Sequence, residues 1–287
     1  MRTMRAAAID RFGGPAVLKI HTLPIPKPSA QEVLIEIDTA GVGIWDVKAR
    51  SGKWAEREEF PLILGTDGSG VVAEVGSQVR RLKVGDRVYA YSYDNPKGGF
   101  YAEFAAVAAS KVARLPEGLD LLPAGAIPTI ALTALQGVDD TLEINEGENV
   151  VIHGASGKDG IAFVRRLGAD EAIDGKKDDV VWRDVDAVLA FAGGKELTRC
   201  LDALKKGGRA AYPNGIEPEP RKRKGIKIKS YDGSPGVREF ERLNRAIDSM
   251  DIQVPIAAGF KLEDAADAHR FMEKGHILGK VVLRVSS

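Results

Sequence analysis

The first third of the chain alternates apolar and polar positions in short runs, and glycine, proline and charged pairs separate these runs. Four of them lie at residues 33–37, 70–75, 86–90 and 104–107. Alternation with this punctuation is typical of antiparallel strands that close a small barrel. We therefore predict a mostly β domain over roughly the first 110 residues.

After residue 121 the pattern changes to apolar strands that alternate with helices. An Ala/Leu-rich segment at 122–135 predicts a helix. We predict strands at 148–153, 186–191 and 209–212, with helices at 161–167 and 195–204. This alternation predicts a parallel sheet with crossover helices. Further helices are predicted at 233–251 and 262–273, and a closing strand at 280–285.

Charge and cysteine content exclude several classes of function. The 287 residues carry 41 Lys+Arg and 41 Asp+Glu, so no net field favours nucleic acid or anionic lipid. The basic run at 221–229 is interpreted as a solvated loop, with nucleic-acid binding a distant alternative. A single cysteine, Cys200, excludes an internal disulfide and points to a reducing compartment. With no apolar run of the ~20 residues that a membrane helix needs, we expect a cytoplasmic protein with a small-molecule partner.

A glycine-rich turn carries the most informative chemistry. At 150–160 an apolar strand runs into Gly154, Gly157 and Gly160 and then into a helix. Such a turn lets the backbone approach a pyrophosphate, whose charge the helix N-terminus accepts. Two later turns, at 190–194 and 211–215, also place glycines directly after strands. They suit a nicotinamide ribose or ring, although all three turns are also compatible with a plain strand end.

Five motifs in a fixed order link the chain to a known family. They occupy residues 41–52, 61–72, 84–88, 98–103 and 279–283. With them the chain resembles the zinc-independent, quinone oxidoreductase-like branch of the medium-chain dehydrogenase/reductase superfamily. The resemblance implies an α/β protein: a GroES-like β-barrel catalytic domain at 1–122, a doubly wound parallel-sheet (Rossmann) domain at 123–255 and a return to the catalytic domain at 256–287. It also implies a homodimer that uses NADP(H) to transfer a hydride to a quinone or enone.

The resemblance also implies site residues. Metal-dependent relatives carry a cysteine near residues 43–46 and a His-Glu pair where Thr66 and Asp67 stand here, so no metal is expected. Asp46 and Lys48 are the candidate catalytic donors, with Trp45 and Trp54 as apolar walls; a capping or surface pair is the alternative reading of the two donors. Relatives often carry an asparagine in place of Gly43 and a tyrosine near Trp54. The implied cofactor-binding residues are Gly43, Thr133, Gly154, Ala155, Ser156, Gly157, Lys158, Gly160, Gly193, Asn214, Gly215 and Lys280.

The nucleotide domain is short against this pattern. A dinucleotide fold follows its glycine turn with a helix, a second strand and, about 20 residues on, a residue that reads the adenosine ribose. Here the segment 162–174, which corresponds to a later helix and strand of the family, follows Gly160 at once. We therefore expect one helix and one strand to be missing, and Lys158 to be the only nearby cation for a 2′-phosphate. Cofactor affinity should be reduced, and the alternative function is a shortened, engineered or degenerate relative that serves as a scaffold or binding protein.

Overall fold

The computed structural model describes residues 2–54, 59–93, 95–154, 157–174, 182–250, 252 and 254–286. The chain divides into two compact units. The β-rich unit comprises Met1–Leu132 and Ser234–Ser287, and the parallel-sheet unit comprises Thr133–Gly233. The domain ranges inferred from the resemblance stay a prediction.

The regular elements follow the chain in this order. The strands are β1 (Thr3–Ile9), β2 (Leu18–Pro24), β3 (Glu32–Val42), β4 (Leu62–Ile63), β5 (Asp67–Val75), β6 (Arg87–Tyr91), β7 (Phe104–Ala108), β8 (Val112–Arg114), β9 (Val150–His153), β10 (Val185–Ala190), β11 (Leu204–Pro213), β12 (Lys227–Tyr231), β13 (Ile256–Lys261) and β14 (Lys280–Arg284). The helices are α1 (Ile44–Arg50), α2 (Leu121–Ala124), α3 (Pro128–Gln136), α4 (Lys158–Arg166), α5 (Lys195–Asp202), α6 (Val237–Ser249) and α7 (Ala265–Glu273).

Strand β3 organises the β-rich unit. One edge of this eleven-residue strand pairs with β5, and the other edge pairs with β7 in its first half and with β14 in its second half. All of these pairings are antiparallel, and β6 and β8 extend the sheet beyond β5. A separate three-stranded sheet has the order β2-β1-β4. The predicted, mostly β first domain is confirmed.

The predicted helix at 122–135 is divided into α2 and α3. Gly125 follows α2, and a Cβ at this glycine would lie 2.6 Å from the backbone oxygen of Thr39 in β3. Pro128 then occupies the first position of α3, where proline lacks only an N–H that has no helical partner. The close approach to β3 therefore requires a turn where the Ala/Leu-rich pattern predicted continuous helix.

The parallel-sheet unit contains the strands β9 to β12, which are all parallel to their neighbours. Their spatial order is β12-β11-β10-β9, so the sheet progresses in one direction as the chain advances. All six residues of β10 are buried. Leu197 and Leu201 of α5 pack on one face, and Leu142, beyond a π-helical turn at Gly137–Thr141, packs on the other. The predicted Rossmann-type parallel sheet is confirmed.

The connection between the first two strands of the parallel sheet is short, as the sequence predicts. β9 ends at His153 and β10 begins at Val185, so 31 residues separate two neighbouring parallel strands. Helix α4 lies within this interval, and the described residues that follow it, 167–174, form no strand. Each crossover between parallel strands takes a dozen residues or more, so this interval is too short for the three crossovers that a doubly wound sheet makes between its first and fourth strands.

A substitution at Gly70 can test how closely β5 packs against β3. A Cβ at this position would lie 1.9 Å from the backbone oxygen of Glu36, which can move only if the strand moves. We expect Gly70→Ala to lower the free energy of unfolding by at least about 2 kcal/mol, measured by urea denaturation. Gly118→Ala is the matched control, because nothing lies within 4 Å of its Cβ. Equal denaturation midpoints for the two variants would contradict this account.

Candidate active site

Strand pairing in the β-rich unit brings Asp67, Lys280 and the start of α1 together. Val281 of β14 pairs with Val42 of β3, and Asp67 of β5 pairs with Gly41 of β3. The first residue of β14, Lys280, therefore lies beside the end of β3, close to the start of α1. Asp67, Lys280 and α1 lie far apart in the sequence, but the adjacent strands β14, β3 and β5 place them at one end of the sheet.

Asp46 lies at the start of α1 and is 2 % exposed. Its Oδ2 accepts the backbone N–H of Gly43 at 2.8 Å, and its Oδ1 accepts the hydroxyl of Thr66 at 2.8 Å. Burial raises the pKa of Asp46 to about 7, although these two hydrogen bonds act to lower it. Asp46 thus caps α1 and joins it to the loop before β5. Its predicted catalytic role stays a prediction.

Asp67 and Lys280 form the charged part of the site. Asp67 Oδ1 accepts the backbone N–H of Thr129 at 2.9 Å and also the Thr129 hydroxyl, whereas its buried Oδ2 has no hydrogen-bond partner among the described residues. Burial raises the pKa of Asp67 to about 6. Burial lowers the pKa of Lys280, and the charges of Asp67 and Asp46 oppose that shift. The three groups are therefore electrostatically coupled.

Trp45 occupies the space beside Gly43. A Cβ at Gly43 would lie 2.1 Å from Cε2 of the Trp45 ring, so the ring and a side chain at residue 43 exclude each other. The Lys280 ammonium lies 4.8 Å from the centroid of the same ring, within the range of a cation–π interaction. The indole Nε1 is buried and has no hydrogen-bond partner among the described residues. The glycine at residue 43 is thus explained by the tryptophan two residues later.

Lys48 lies on a different side of α1 from Asp46, because residues two apart on a helix do not share a face. Its ammonium is 3.9 Å from the centroid of the Trp54 ring, and the Trp54 backbone oxygen accepts a hydrogen bond from the Tyr93 hydroxyl at 2.6 Å. The structure thus places Lys48 with Trp54 and Lys280 with Trp45. The catalytic role of Lys48 stays a prediction.

A buried hydrogen-bonded chain extends from Asp46 towards α7. Arg50 Nη1 donates to His269 Nδ1 at 3.3 Å, and because a guanidinium only donates, this histidine nitrogen must accept. The other ring nitrogen, Nε2, then donates to the Tyr101 hydroxyl oxygen at 3.1 Å. Asp46 faces the same hydroxyl and contributes to raising the pKa of Tyr101. Arg50 Nη2 also pairs with Glu273 at 2.5 Å. The sequence analysis missed this chain, since its members lie in three separate segments.

The parallel-sheet unit collects the other predicted site residues at the carboxyl ends of its strands. The His153 ring donates from Nδ1 to the Ala192 oxygen at 3.0 Å, which joins the ends of β9 and β10. The Asn214 backbone N–H donates to the Tyr231 backbone oxygen at 2.9 Å. The Asn214 side-chain amide donates to the Asp232 carboxylate at 2.6 Å. The backbone oxygen of Thr133 accepts a hydrogen bond from the Tyr231 hydroxyl at 2.9 Å.

The glycines of this unit divide into two kinds. Cβ atoms at Gly154 and Gly157 would meet nothing within 4 Å among the described residues, so packing does not require glycine at either position. Lys158 and Gly160 lie in the first turn of α4. A Cβ at Gly193 would instead lie 2.4 Å from the Pro218 oxygen, so loop packing alone requires this glycine. Gly215 has a φ of 85°, which favours glycine in a turn. The predicted Ala155 and Ser156 lie outside the described residues.

The described residues contain neither a metal-binding cluster nor a membrane-spanning helix. No group of three or more His, Cys, Asp or Glu side chains in that part of the chain is placed to hold a metal ion. None of the described helices combines the length and the apolarity needed to cross a membrane. The expectation that the protein works without metal stays a prediction.

Comparison with known proteins agrees with the geometry. The family described as alcohol dehydrogenase GroES-like domain matches residues 29–117, and the family described as zinc-binding dehydrogenase matches residues 167–283. Quinone oxidoreductase of Sus scrofa is 31% identical over 98% of both chains. The chain belongs to the quinone oxidoreductase-like branch of the medium-chain dehydrogenase/reductase family.

Other members of this family support the assignment and the shortage. Quinone oxidoreductase of Lama guanicoe is 30% identical over 98% of both chains. The solved quinone oxidoreductase of Coxiella burnetii has a TM-score of 0.90 and 28% identity, and the match covers 99% of this chain and 100% of that one. The alignment with the porcine relative runs over 325 positions, whereas this chain has 287 residues. The relative therefore carries residues that this chain lacks.

His269 makes stability depend on pH. Burial and the nearby Arg50 charge lower its pKa to about 3, so between pH 6.5 and 3 the unfolded state binds a proton that the folded state does not. Stability therefore falls as the pH is lowered. Asp46 and Asp67, whose pKa values are raised by burial, act in the opposite direction, because their carboxyl groups hold a proton in the folded state at a pH where the unfolded state has lost it.

We expect His269→Gln to reduce the loss of unfolding free energy between pH 7 and pH 5 by about 2 kcal/mol relative to the parent, measured by urea denaturation at each pH. His269→Asn is a second variant, because its side-chain amide, like that of Gln, offers one donor and one acceptor group in place of the two ring nitrogens. Parallel pH profiles for parent and variants would show that His269 does not titrate in this way.

The exclusion between Gly43 and Trp45 can be measured by a double-mutant cycle. Gly43→Ala forces the indole ring to move, so we expect it to cost about 1–3 kcal/mol of unfolding free energy. In a Trp45→Ala background the same change should cost at least about 1 kcal/mol less, because the clash is gone. Additive costs would contradict the exclusion.

Proposed function

We propose that the chain is a reductase that transfers a hydride from a reduced nicotinamide cofactor, NADPH first of all, to the conjugated carbon of a quinone or enone, without zinc. Membership of the quinone oxidoreductase-like family supports the reaction class. The observation that carries the proposal is the Lys280 ammonium, which lies over the Trp45 ring and forms no hydrogen bond or ion pair with the described residues. Its three N–H groups are available to a ligand oxygen.

The residues present fit the nicotinamide end of the cofactor. The turns after β10, β11 and β12 lie at the carboxyl edge of the parallel sheet, where ligands bind in folds of this kind. Their hydrogen bonds hold Asn214 and the backbone of Tyr231 in place before any ligand arrives. The bound cofactor supplies the hydride, and the protein supplies orientation and charge.

The protein's part in the reaction is to stabilise negative charge. Hydride addition to the conjugated carbon leaves that charge on the carbonyl oxygen, where preorganised donors stabilise it. Both Asp46 oxygens already accept hydrogen bonds within the protein, so we assign Asp46 to positioning α1. Lys48, held against the Trp54 ring, is the proposed donor to the substrate oxygen. Lys280 is the proposed cofactor ligand.

These roles predict different kinetic effects. NADPH absorbance should decrease in the presence of a quinone or enone panel. Lys280→Met should raise the cofactor Kd about 10- to 100-fold, the worth of a charge-assisted hydrogen bond, as followed by NADPH fluorescence. Lys48→Met should lower kcat and leave that Kd unchanged.

Lys280→Arg is the control, because it keeps the charge and should restore part of the cofactor affinity. A flat absorbance trace across the panel would contradict the proposed reaction. If Lys280→Met lowered only kcat, the two lysines would have to exchange roles.

The alternative function, a shortened relative that serves as a scaffold or binding protein, is favoured by one observation. Only 31 residues separate His153 from Val185, and the alignment with the porcine relative runs over 325 positions against the 287 residues of this chain. This alternative predicts that no nicotinamide compound binds.

The remaining expectations are also proposals. We propose a homodimer, supported by the open outer edge of β12 in the described sheet and measurable by sedimentation equilibrium. A cytoplasmic location is supported by the free, buried Cys200. The zero net charge supports a small-molecule partner rather than nucleic acid or membrane.

A further inference from the structure

Two glycines lie at the end of β3, on the face of the sheet that carries Asp67 and Lys280. Asp67 of β5 pairs with Gly41. Lys280 and Gly43 each lie one position beyond the last pair of β14 and β3. Residues two apart in an extended chain point to the same face, and Gly43 has extended backbone. Asp67 and Lys280 therefore lie on opposite sides of β3, and the two positions between them have no side chain.

The Trp45 ring covers the second of these glycines. A Cβ at Gly43 would lie 2.1 Å from Cε2 of the ring, and the ring centroid is 4.8 Å from the Lys280 ammonium. A flat aromatic ring thus lies against bare backbone and beside a cation. Glycine allows this close approach, and a ligand ring would need the same surroundings.

Three polar groups around this ring have no hydrogen-bond partner among the described residues. They are the indole Nε1 of Trp45, Oδ2 of Asp67 and the ammonium of Lys280. The charges of Asp67 and Lys280 act on each other's pKa values, but the two groups form no ion pair in the described part of the chain. A buried polar group without a partner is costly. A ligand that supplies the missing partners would therefore stabilise this end of the sheet.

The two oxygens of Asp67 have different surroundings. Oδ1 accepts both the backbone N–H and the hydroxyl of Thr129 at the start of α3. These two hydrogen bonds fix the orientation of the carboxylate, so Oδ2 is an acceptor at a fixed position. The Lys280 ammonium can only donate. The face thus offers one acceptor and one group of donors beside a flat ring.

A primary carboxamide on an aromatic ring matches these groups. Its oxygen accepts hydrogen bonds, as the ammonium requires, and its NH₂ donates, as the carboxylate oxygen requires. A quinone has carbonyl oxygens and no donor, so it would satisfy Lys280 and leave Asp67 without a partner. The nicotinamide of the proposed cofactor is an aromatic carboxamide.

We propose that Lys280 and Asp67 bind the nicotinamide carboxamide of the cofactor, Lys280 at its oxygen and Asp67 Oδ2 at its nitrogen, and that the Trp45 ring occupies this place until the cofactor binds. The inference rests on the proposed function, because it concerns the same cofactor. Asp67 Oδ2 is buried, so a neighbouring group must move before a ligand reaches it. The half-buried Trp45 ring is that group, and it acts as a gate rather than as a fixed wall.

A cofactor analogue tests the carboxamide contact by binding alone. In 3-acetylpyridine adenine dinucleotide phosphate a methyl group replaces the amide NH₂, and the carbonyl group is kept. In calorimetric titrations of the parent, the Kd of this analogue should be about 10- to 100-fold higher than that of oxidised NADP, the effect of one hydrogen bond to a charged group. Equal Kd values would overturn the proposal.

Asp67→Asn isolates the proposed acceptor. The amide keeps an oxygen for Thr129 but presents a donor in place of Oδ2. NADP should bind about 10- to 100-fold more weakly, while the Kd of the analogue changes by less than about threefold. Asp38→Asn, the same change at another carboxylate of β3, is the control and should alter neither Kd. Equal weakening of both ligands by Asp67→Asn would reduce Asp67 to a structural role. If this variant does not fold, the analogue comparison in the parent still decides.

Trp45 variants test the gate. Trp45→Ala removes the ring that the ligand must displace, so the Kd for NADP should fall about 3- to 10-fold, whereas loss of a wall would raise it. Saturation with oxidised NADP should change the tryptophan emission of the parent, and Trp45→Phe should lose this change. A higher Kd for Trp45→Ala, or the same emission change in Trp45→Phe, would overturn the gate.

These outcomes separate the inference from the proposed function. If neither NADP nor the analogue binds to the parent, the proposed function is wrong and the inference is wrong with it. If both bind with equal Kd, only the inference is wrong. If NADP is preferred but no quinone or enone is reduced, only the proposed reaction is wrong.

Discussion

The coupling of the partly buried Lys280 ammonium to Asp67 and Asp46 is the interaction on which the polar site depends. Charges taken out of water are costly unless opposite charges and hydrogen bonds compensate them. Thr129 and Thr66 supply those hydrogen bonds to the two carboxylates. The arrangement holds only if β14, β3 and β5 keep their register, because a slip of one residue would turn every side chain to the other face. Strand pairing and site electrostatics therefore stabilise one another.

The volume of the Trp45 side chain determines which residue fits at position 43. The Trp45 ring takes the space that a side chain at residue 43 would need, and it offers a π face to Lys280. An apolar ring and a cation thus occupy the space beside residue 43. In the nucleotide half the constraint is chain length: the 31 residues between β9 and β10 are too few for the three crossovers that a doubly wound sheet makes there.

Sequence patterns predicted the elements whose residues carry a periodic signal. The strands around 186–191 and 104–107 and the helix around 195–204 were recognisable from apolar runs and punctuation, and the structure has β10, β7 and α5 there. The pattern was insufficient where tertiary contact decides the backbone, as at Gly125 between α2 and α3. It also could not find His269, because one histidine in an amphipathic helix gives no sign of a buried arginine and tyrosine from distant segments.

By itself the sequence determined the family, the mixed α/β architecture, the shortage in the nucleotide half and the glycine turns after the strands, since each of these is a matter of local pattern or of length. Only the tertiary structure decided that Asp46 caps a helix, that Lys280 meets Trp45, that Gly193 is required by loop packing and that the parallel sheet runs in one direction. Those features depend on which strands become neighbours, and neighbours are chosen by the burial of whole faces rather than by any single segment.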